Sequence, residues 1–254
     1  MNIETALAAL HTRAPDTILP AVLAAIEPDG EYALVQGPTG STYVSWNTNG
    51  VTACVPLSVA GSDEGFEEGH PGRLRRVDEP PPRIARPLGR ALASGRLGDL
   101  PIDLESLGEF QQAVLRKCAE IPPGEIRPYG WIAREIGNPG AVRAVGTALG
   151  RNPIPILIPC HRVVRTDGRI GAYAYGPQMK RDLLAGEGVD PDGIEHDAGR
   201  GIRYVGSDTT GIYCYPTCRH AKRISDDHRA EFRSEAAAGD AGYRACKVCR
   251  PAAA

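Results

Sequence analysis

The sequence predicts an α+β chain built in three successive parts, and three observations carry that reading. Residues 31–56 alternate apolar and polar positions and are cut by GPTG and NTNG turns, the pattern of an antiparallel β-meander. Residues 84–150 instead repeat apolar positions at helical spacing, with proline and glycine stops between segments. The last segment crowds four of the seven cysteines into a CxxxC and a CxxC pair. A length of 254 residues suits two or three domains. The 42% hydrophobic and 24% charged content excludes a disordered chain, a collagen and a coiled-coil rod.

Each element follows in order. The opening MNIETALAALHTRAPD has Glu4 where a secretory signal needs positive charge, and His11 and Arg13 interrupt its apolar stretch, so no leader is expected. No apolar run reaches membrane-span length, and the expected location is the cytoplasm. EYALVQ, STYVSW and VTACVP read as three strands. Residues 61–82, rich in glycine, proline and charge, read as a long loop. Ile84–Ser94 and Leu107–Glu120 read as helices, the second stopped by Pro122-Pro123-Gly124. Tyr129–Gly137 and Ala141–Gly150 flank Asn138-Pro139-Gly140 and have the outline of a helix-turn-helix, which any αα-hairpin shares. The three prolines of RNPIPILIPCHRVV, residues 151–164, exclude a regular helix and predict a rigid, partly buried loop. Met179–Ala185 reads as a helix, and the acidic, aperiodic VDPDGIEHDAGRGI reads as a linker. The expected divisions are an α/β domain at 1–82, a helical domain at 83–190, a linker at 191–202 and a small module at 203–254.

The net charge of −2 and pI near 6.3 exclude a bulk-basic nucleic-acid binder. That total conceals a division. Residues 1–126 carry 10 Lys+Arg against 17 Asp+Glu, whereas residues 127–182 carry 9 against 3. A local basic block in an acidic chain fits a limited nucleic-acid footprint, but charge alone favours a solvated basic face.

Two constellations carry chemistry. A nucleophilic cysteine must ionise, be partly exposed and be held rigidly. Cys160 has His161 and Arg162 beside it and a proline-stiffened approach. On spacing alone, a buried inert cysteine beside a core histidine fits as well. Cys214, Cys218, Cys246 and Cys249 have the spacing of a closed structural zinc site, in a segment too small to hold itself by core burial. His220 and His228 stand near as alternative ligands.

Here the motifs carry a resemblance. PCHRVV after NPIPILI resembles the active-site signature of O6-alkylguanine-DNA alkyltransferases. GEIRPYGWIAREIGNP, AVRAVGTALGRNP, GRIGAYAYG and LLAGEG are similar to other segments of that family, in its order. The resemblance implies that Cys160 accepts the alkyl group, with His161 deprotonating it through a water and Glu187 orienting the histidine. It implies that Asn152 braces the turn into the active-site loop. It makes Arg143 the finger that fills the base stack, Tyr129 the residue that rotates the nucleotide out, and Tyr173 a pocket wall. Arg162 is expected on the DNA or substrate side. Tyr175 departs from the pattern, standing where members often carry a small residue.

DTTGIYCYPTC and AGYRACKVCRP, spanning about Gly206–Pro251, resemble Ada-type metal-binding domains. That resemblance implies Zn²⁺ on all four cysteines and a second methyl-acceptor role for Cys214 toward DNA methylphosphotriesters. Asp208 and Tyr215 stand where members often have arginine. Together the resemblances imply a monomeric protein of double-stranded DNA repair. It would flip the alkylated base and take one alkyl group from O6-alkylguanine, with O4-alkylthymine as a second substrate class, and need no organic cofactor. The alternative is a non-catalytic damage sensor whose zinc module anchors it on DNA.

Overall fold

The computed structural model describes residues 27–251, so the opening segment read for a leader lies outside the described residues. Strands β1 (Gly30–Gly37), β2 (Gly40–Trp46) and β3 (Val51–Pro56) form the expected antiparallel meander, and β4 (Leu74–Arg76) adds parallel to β1. The order is β3-β2-β1-β4. Side chains alternate across the pleat. Ala33, Val44 and Cys54 face the main core, while Tyr32, Tyr43 and Ala53 form a separate cluster on the other face.

Residues 61–82 are not a plain loop. After a one-turn helix α1 (Leu57–Ala60), helix α2 (Asp63–Glu68) starts where the Ser62 hydroxyl accepts from Gly65 N at 3.2 Å, with Asp63 and Glu64 in its first turn. Phe66 stacks on Tyr43 at 4.9 Å and closes the second cluster. A helix this short buries one side chain and so leaves no periodic signal.

Helices α3 (Pro82–Ser94), α4 (Glu109–Ala119) and α6 (Val142–Gly150) bury single stripes at helical spacing, namely Ile84, Leu88 and Ala91; Val114, Leu115 and Cys118; Val145, Ala148 and Leu149, while the short α5 (Tyr129–Glu135) between them buries the consecutive Trp131, Ile132 and Ala133. These helices share one core with the Ala33, Val44 and Cys54 face of the meander. Strand β5 (Arg127–Pro128) pairs in parallel with β6 (Val163–Val164), tying the entry of α5 to the end of the proline-rich loop. Helix α7 (Pro177–Gly186) then packs behind that loop.

The expected linker is helical. Helix α8 (Pro191–Arg200) is capped by Asp190, whose carboxylate accepts from Asp192 N at 3.1 Å, and is stopped by Gly201 at φ 80°. It buries only Ala198, so its caps define it and no apolar period does.

The four-cysteine segment forms a second sheet from β7 (Tyr204–Ser207), β8 (Ile212–Cys214), β9 (Arg229–Phe232) and β10 (Arg244–Ala245), in the order β10-β8-β7-β9, with α9 (Glu235–Asp240) before β10. It docks on α5. Trp131 Nε1 donates to Cys249 O at 3.0 Å, and Arg134 donates to Pro251 O at 2.7 Å. The Arg127 guanidinium lies 5.8 Å from the Trp131 ring and 5.4 Å from the Tyr215 ring. Among the described residues no helix is long and apolar enough to cross a membrane.

Candidate active site and metal centre

The proline-rich loop presents Cys160 through a network centred on Asn152. Asn152 Oδ1 accepts from Ile154 N at 3.0 Å, while Nδ2 donates to Ile158 O at 3.0 Å and lies 3.3 Å from Cys160 Sγ. Ile156 sits at φ 73°, a left-handed conformation that is strained for a β-branched side chain and that close surroundings must enforce. The 3-10 turn Cys160–Arg162 follows Pro159. Adjacent side chains therefore diverge, and Cys160 and His161 serve one site from different directions.

A nucleophile needs some access, and Cys160 is only 7% exposed. Burial pushes its thiol up, against the Asn152 hydrogen bond and the Lys180 charge, which pull it down. The resting thiol is therefore protonated and depends on a base. His161 supplies one. Burial pulls His161 below its ordinary value, with Glu187 opposing, so the resting imidazole is neutral. Its Nε2 lies 3.0 Å from Glu187 Oε1, and a carboxylate only accepts, so Nε2 carries the hydrogen. Nδ1 is left as a buried acceptor with no protein partner among the described residues.

Arg162 corrects an expectation. It does not face DNA, because it is 1% exposed and spent internally. Its guanidinium grips both oxygens of Glu187 and donates to Gly95 O and Ile121 O, each at 2.6 Å. Glu187 also accepts from Gly124 N at 3.1 Å. Burial pushes the Glu187 carboxyl up, but the hydrogen bonds from His161 and Arg162 outweigh it and hold it down at about 2.

Aromatic groups line the other side. The Tyr173 ring meets His161 edge-on at 6.4 Å and Tyr175 at 5.7 Å, with its hydroxyl buried beside Cys160. Tyr175 OH lies 3.5 Å from Cys54 O, so the bulky residue is tethered to β3. Tyr129, half-buried at the start of α5, rests against Gly146 of α6. Burial raises the Tyr129 and Tyr173 hydroxyls, and the nearby Cys160 adds to both. Arg143 stands apart on the exposed face of α6, with Ala144, Thr147 and Gly150, and has no ion-pair partner among the described residues.

Sequence reasoning missed Lys180. It is 1% exposed, and its amine donates to Val163 O at 2.6 Å, Ile170 O at 2.7 Å and Ala172 O at 3.3 Å. Burial pulls it down to about 8. It joins the Cys160 loop to the segment carrying Tyr173. In sequence it is one charge among several on a helix, and nothing local marks it as buried.

In the second sheet, one ligand atom from each of Cys214, Cys218, Cys246 and Cys249 lies within 4.8 Å of the others, and all four residues are buried. Hydrogen bonds to Cys218 and Cys249 push the Cys214 thiol far up, whereas those from Cys214 and Cys249 pull the Cys218 thiol down. Four sulfurs this close ionise together only around a cation, and an all-cysteine tetrahedral set suits Zn²⁺. The histidines are not needed: His228 pairs with Asp208 at 2.9 Å instead. Of the two tryptophans, Trp131 donates to a carbonyl of this cluster and Trp46 lies in the first sheet. Chelation is therefore expected to unfold the module and shift Trp131 emission to longer wavelength; emission that ignores the chelator would contradict a structural metal.

Residues 109–189 match the family model of the 6-O-methylguanine DNA methyltransferase DNA binding domain, and residues 196–252 match the metal binding domain of Ada. A methylated-DNA–protein-cysteine methyltransferase of Methanosarcina acetivorans is 40% identical over 143 residues, covering 52% of this chain and 92% of that protein. One from Mycolicibacterium paratuberculosis is 49% identical over 96 residues, 37% of this chain and 58% of that protein. The crystal structure of Mycobacterium tuberculosis OGT in complex with DNA superposes with a TM-score of 0.51 at 33% identity, covering 65% of this chain and 98% of that one. The chain belongs to the methylated-DNA–protein-cysteine methyltransferases, and it carries a metal binding domain of the Ada type behind the transferase segment.

Proposed function

We propose that this protein repairs DNA by moving one alkyl group from guanine O6 to Cys160 and is consumed in doing so. The single observation that carries the reading is the Cys160 loop with its base: a buried thiol beside a neutral histidine that is oriented by Glu187. The O6 atom is stacked inside a duplex, so the nucleotide must leave the helix, at a cost of a few kcal/mol. Arg143, exposed on α6, fills the gap, and Tyr129 and Tyr173 wall the pocket. A water between Sγ and the unpartnered Nδ1 of His161 relays the thiol proton. The S–C bond forms as the C–O6 bond breaks. Overall, the proton lost by the thiol is regained by the guanine. The product thioether is inert, so no second turnover follows. The chain acts as a monomer, and its cysteines, all free among the described residues, suit a reducing cytoplasm.

Titration with duplex containing O6-methylguanine tests this reading. Methyl uptake is expected to plateau at one group per chain, and continued turnover with excess duplex would contradict it.

A second acceptor reading for Cys214 is favoured by one observation. Cys214 lines a cavity of about 430 Å³ together with Arg223, Arg244 and Lys247, a basic setting for a phosphate. Asp208, an acid where members often have arginine, is engaged by His228. Zn²⁺ on the four cysteines would keep the Cys214 sulfur ionised. Methylphosphotriester DNA is then expected to methylate wild type at Cys214, and no uptake would leave the module as an anchor only.

A further inference from the structure

Three consecutive residues of the loop between α4 and β5 are held by the module that carries the cysteine cluster. Lys222 Nζ donates to Gly124 O at 2.9 Å. Arg219 N donates to Glu125 Oε1 at 3.2 Å. Thr217 Oγ1, buried, accepts from Ile126 N at 2.9 Å. These contacts come from one short stretch around Cys218, whose carbonyl in turn accepts from Lys222 N at 3.0 Å. On its other side the same loop reaches the active site, since Gly124 N donates to Glu187 Oε2.

Gly124 is the point of closest approach. It sits at φ 73°, and a Cβ there would lie 2.9 Å from Glu187 O and 3.3 Å from Lys222 Nζ. Only glycine lets the Glu187 backbone, the loop and Lys222 meet. The residue that gives Glu187 its last donor is thus held, through its carbonyl, from outside the transferase segment. A carboxylate that orients a histidine depends on its own donors for direction.

We infer that Lys222 and Thr217 are positioning residues for the Cys160 reaction, acting through the Gly124–Ile126 loop on Glu187 and so on His161. The inference rests on the reading of Cys160 as acceptor and His161 as its base. The metal-binding module then supports the transferase site from behind this loop and is more than an appended DNA contact. The titratable and charged groups around His161 among the described residues are Glu187, Arg162, Lys180, Cys160, Tyr173 and, across the same cavity, Asp182, and of these the Gly124–Ile126 loop hydrogen-bonds through its backbone to Glu187 alone.

The test uses the full chain with Lys222→Met, Thr217→Val and the rescue variant Lys222→Arg. Lys222 is exposed, so Lys222→Met is expected to fold, and its melting curve checks this. Two rates are followed against pH: methyl transfer from an O6-methylguanine duplex, and iodoacetamide labelling of Cys160 read by peptide mass. Near neutral pH both rates are expected to fall about 10-fold in Lys222→Met and Thr217→Val. The deficit should close as rising pH ionises the thiol without its base. Duplex affinity should be unchanged, and Lys222→Arg should restore the rates. Variants equal to wild type at every pH, or slowed by one constant factor across it, would overturn the clamp. A wild type that labels at Cys160 yet takes no methyl would overturn the repair reading alone, with the labelling profiles still deciding the clamp.

Discussion

Cys160→Ala is expected to take up no methyl group from an O6-methylguanine duplex while binding that duplex with unchanged affinity. The thiol is the only nucleophile that the loop presents. Cys54 and Cys118 also lie in the core, but both are fully buried, and burial pushes both thiols up, Cys54 to about 12. Neither has a braced loop or a histidine beside it. Loss of Sγ removes one weak contact from Asn152, whose other two hydrogen bonds, to Ile158 O and Ile154 N, remain. Stability should therefore change by no more than about 1 kcal/mol. A gel of labelled methyl transfer checks the result, and repair retained by Cys160→Ala would contradict the assignment.

Glu187→Ala should cost both rate and stability. It strips His161 of the acceptor that fixes its tautomer, so the relay loses direction. It also leaves the Arg162 guanidinium, 1% exposed, with carbonyl partners but no counter-charge. Removing one member of a buried ion pair costs about 3–5 kcal/mol. Glu187→Gln keeps an acceptor oxygen and should cost less. The pH dependence separates the two effects. The folded Glu187 carboxyl is held at about 2, below its ordinary 4.5, so its contribution to stability is complete above 4.5 and is lost as pH falls toward about 2. Denaturant unfolding at stepped pH should show wild type losing more stability than Glu187→Gln across that window. Parallel losses would contradict the depressed carboxyl.

The meander and helices α3 to α7 were legible because turn residues and apolar positions act locally. GPTG and NTNG punctuate the strands, and Ile84, Leu88 and Ala91 recur at helical spacing. Helices α2 and α8 were not legible, because each buries one residue and is defined by a cap, Ser62 or Asp190. At the site, the resemblance named Cys160, His161, Glu187 and Asn152, and the hydrogen bonds join them as two pairs, Asn152 with Cys160 and His161 with Glu187. Arg162, expected on the DNA or substrate side, is buried, and no signal local to the sequence marks its long-range partners Gly95, Ile121 and Glu187. The 3-10 turn sends it inward to Glu187. Lys180 and the Thr217–Lys222 clamp depend on partners far along the chain, such as Ile126 and Thr217, which are 91 residues apart. A lysine or threonine with such a partner has no local signature.

Peptide mass mapping tests the central claim most directly. Wild-type protein is mixed with a duplex bearing O6-methylguanine, digested, and every cysteine peptide is weighed. The expected result is one added methyl group, on the peptide containing Cys160, with the peptides of Cys54, Cys118 and the four clustered cysteines unchanged. A methyl group on any other peptide, or a repaired duplex with no methylated peptide, would contradict it.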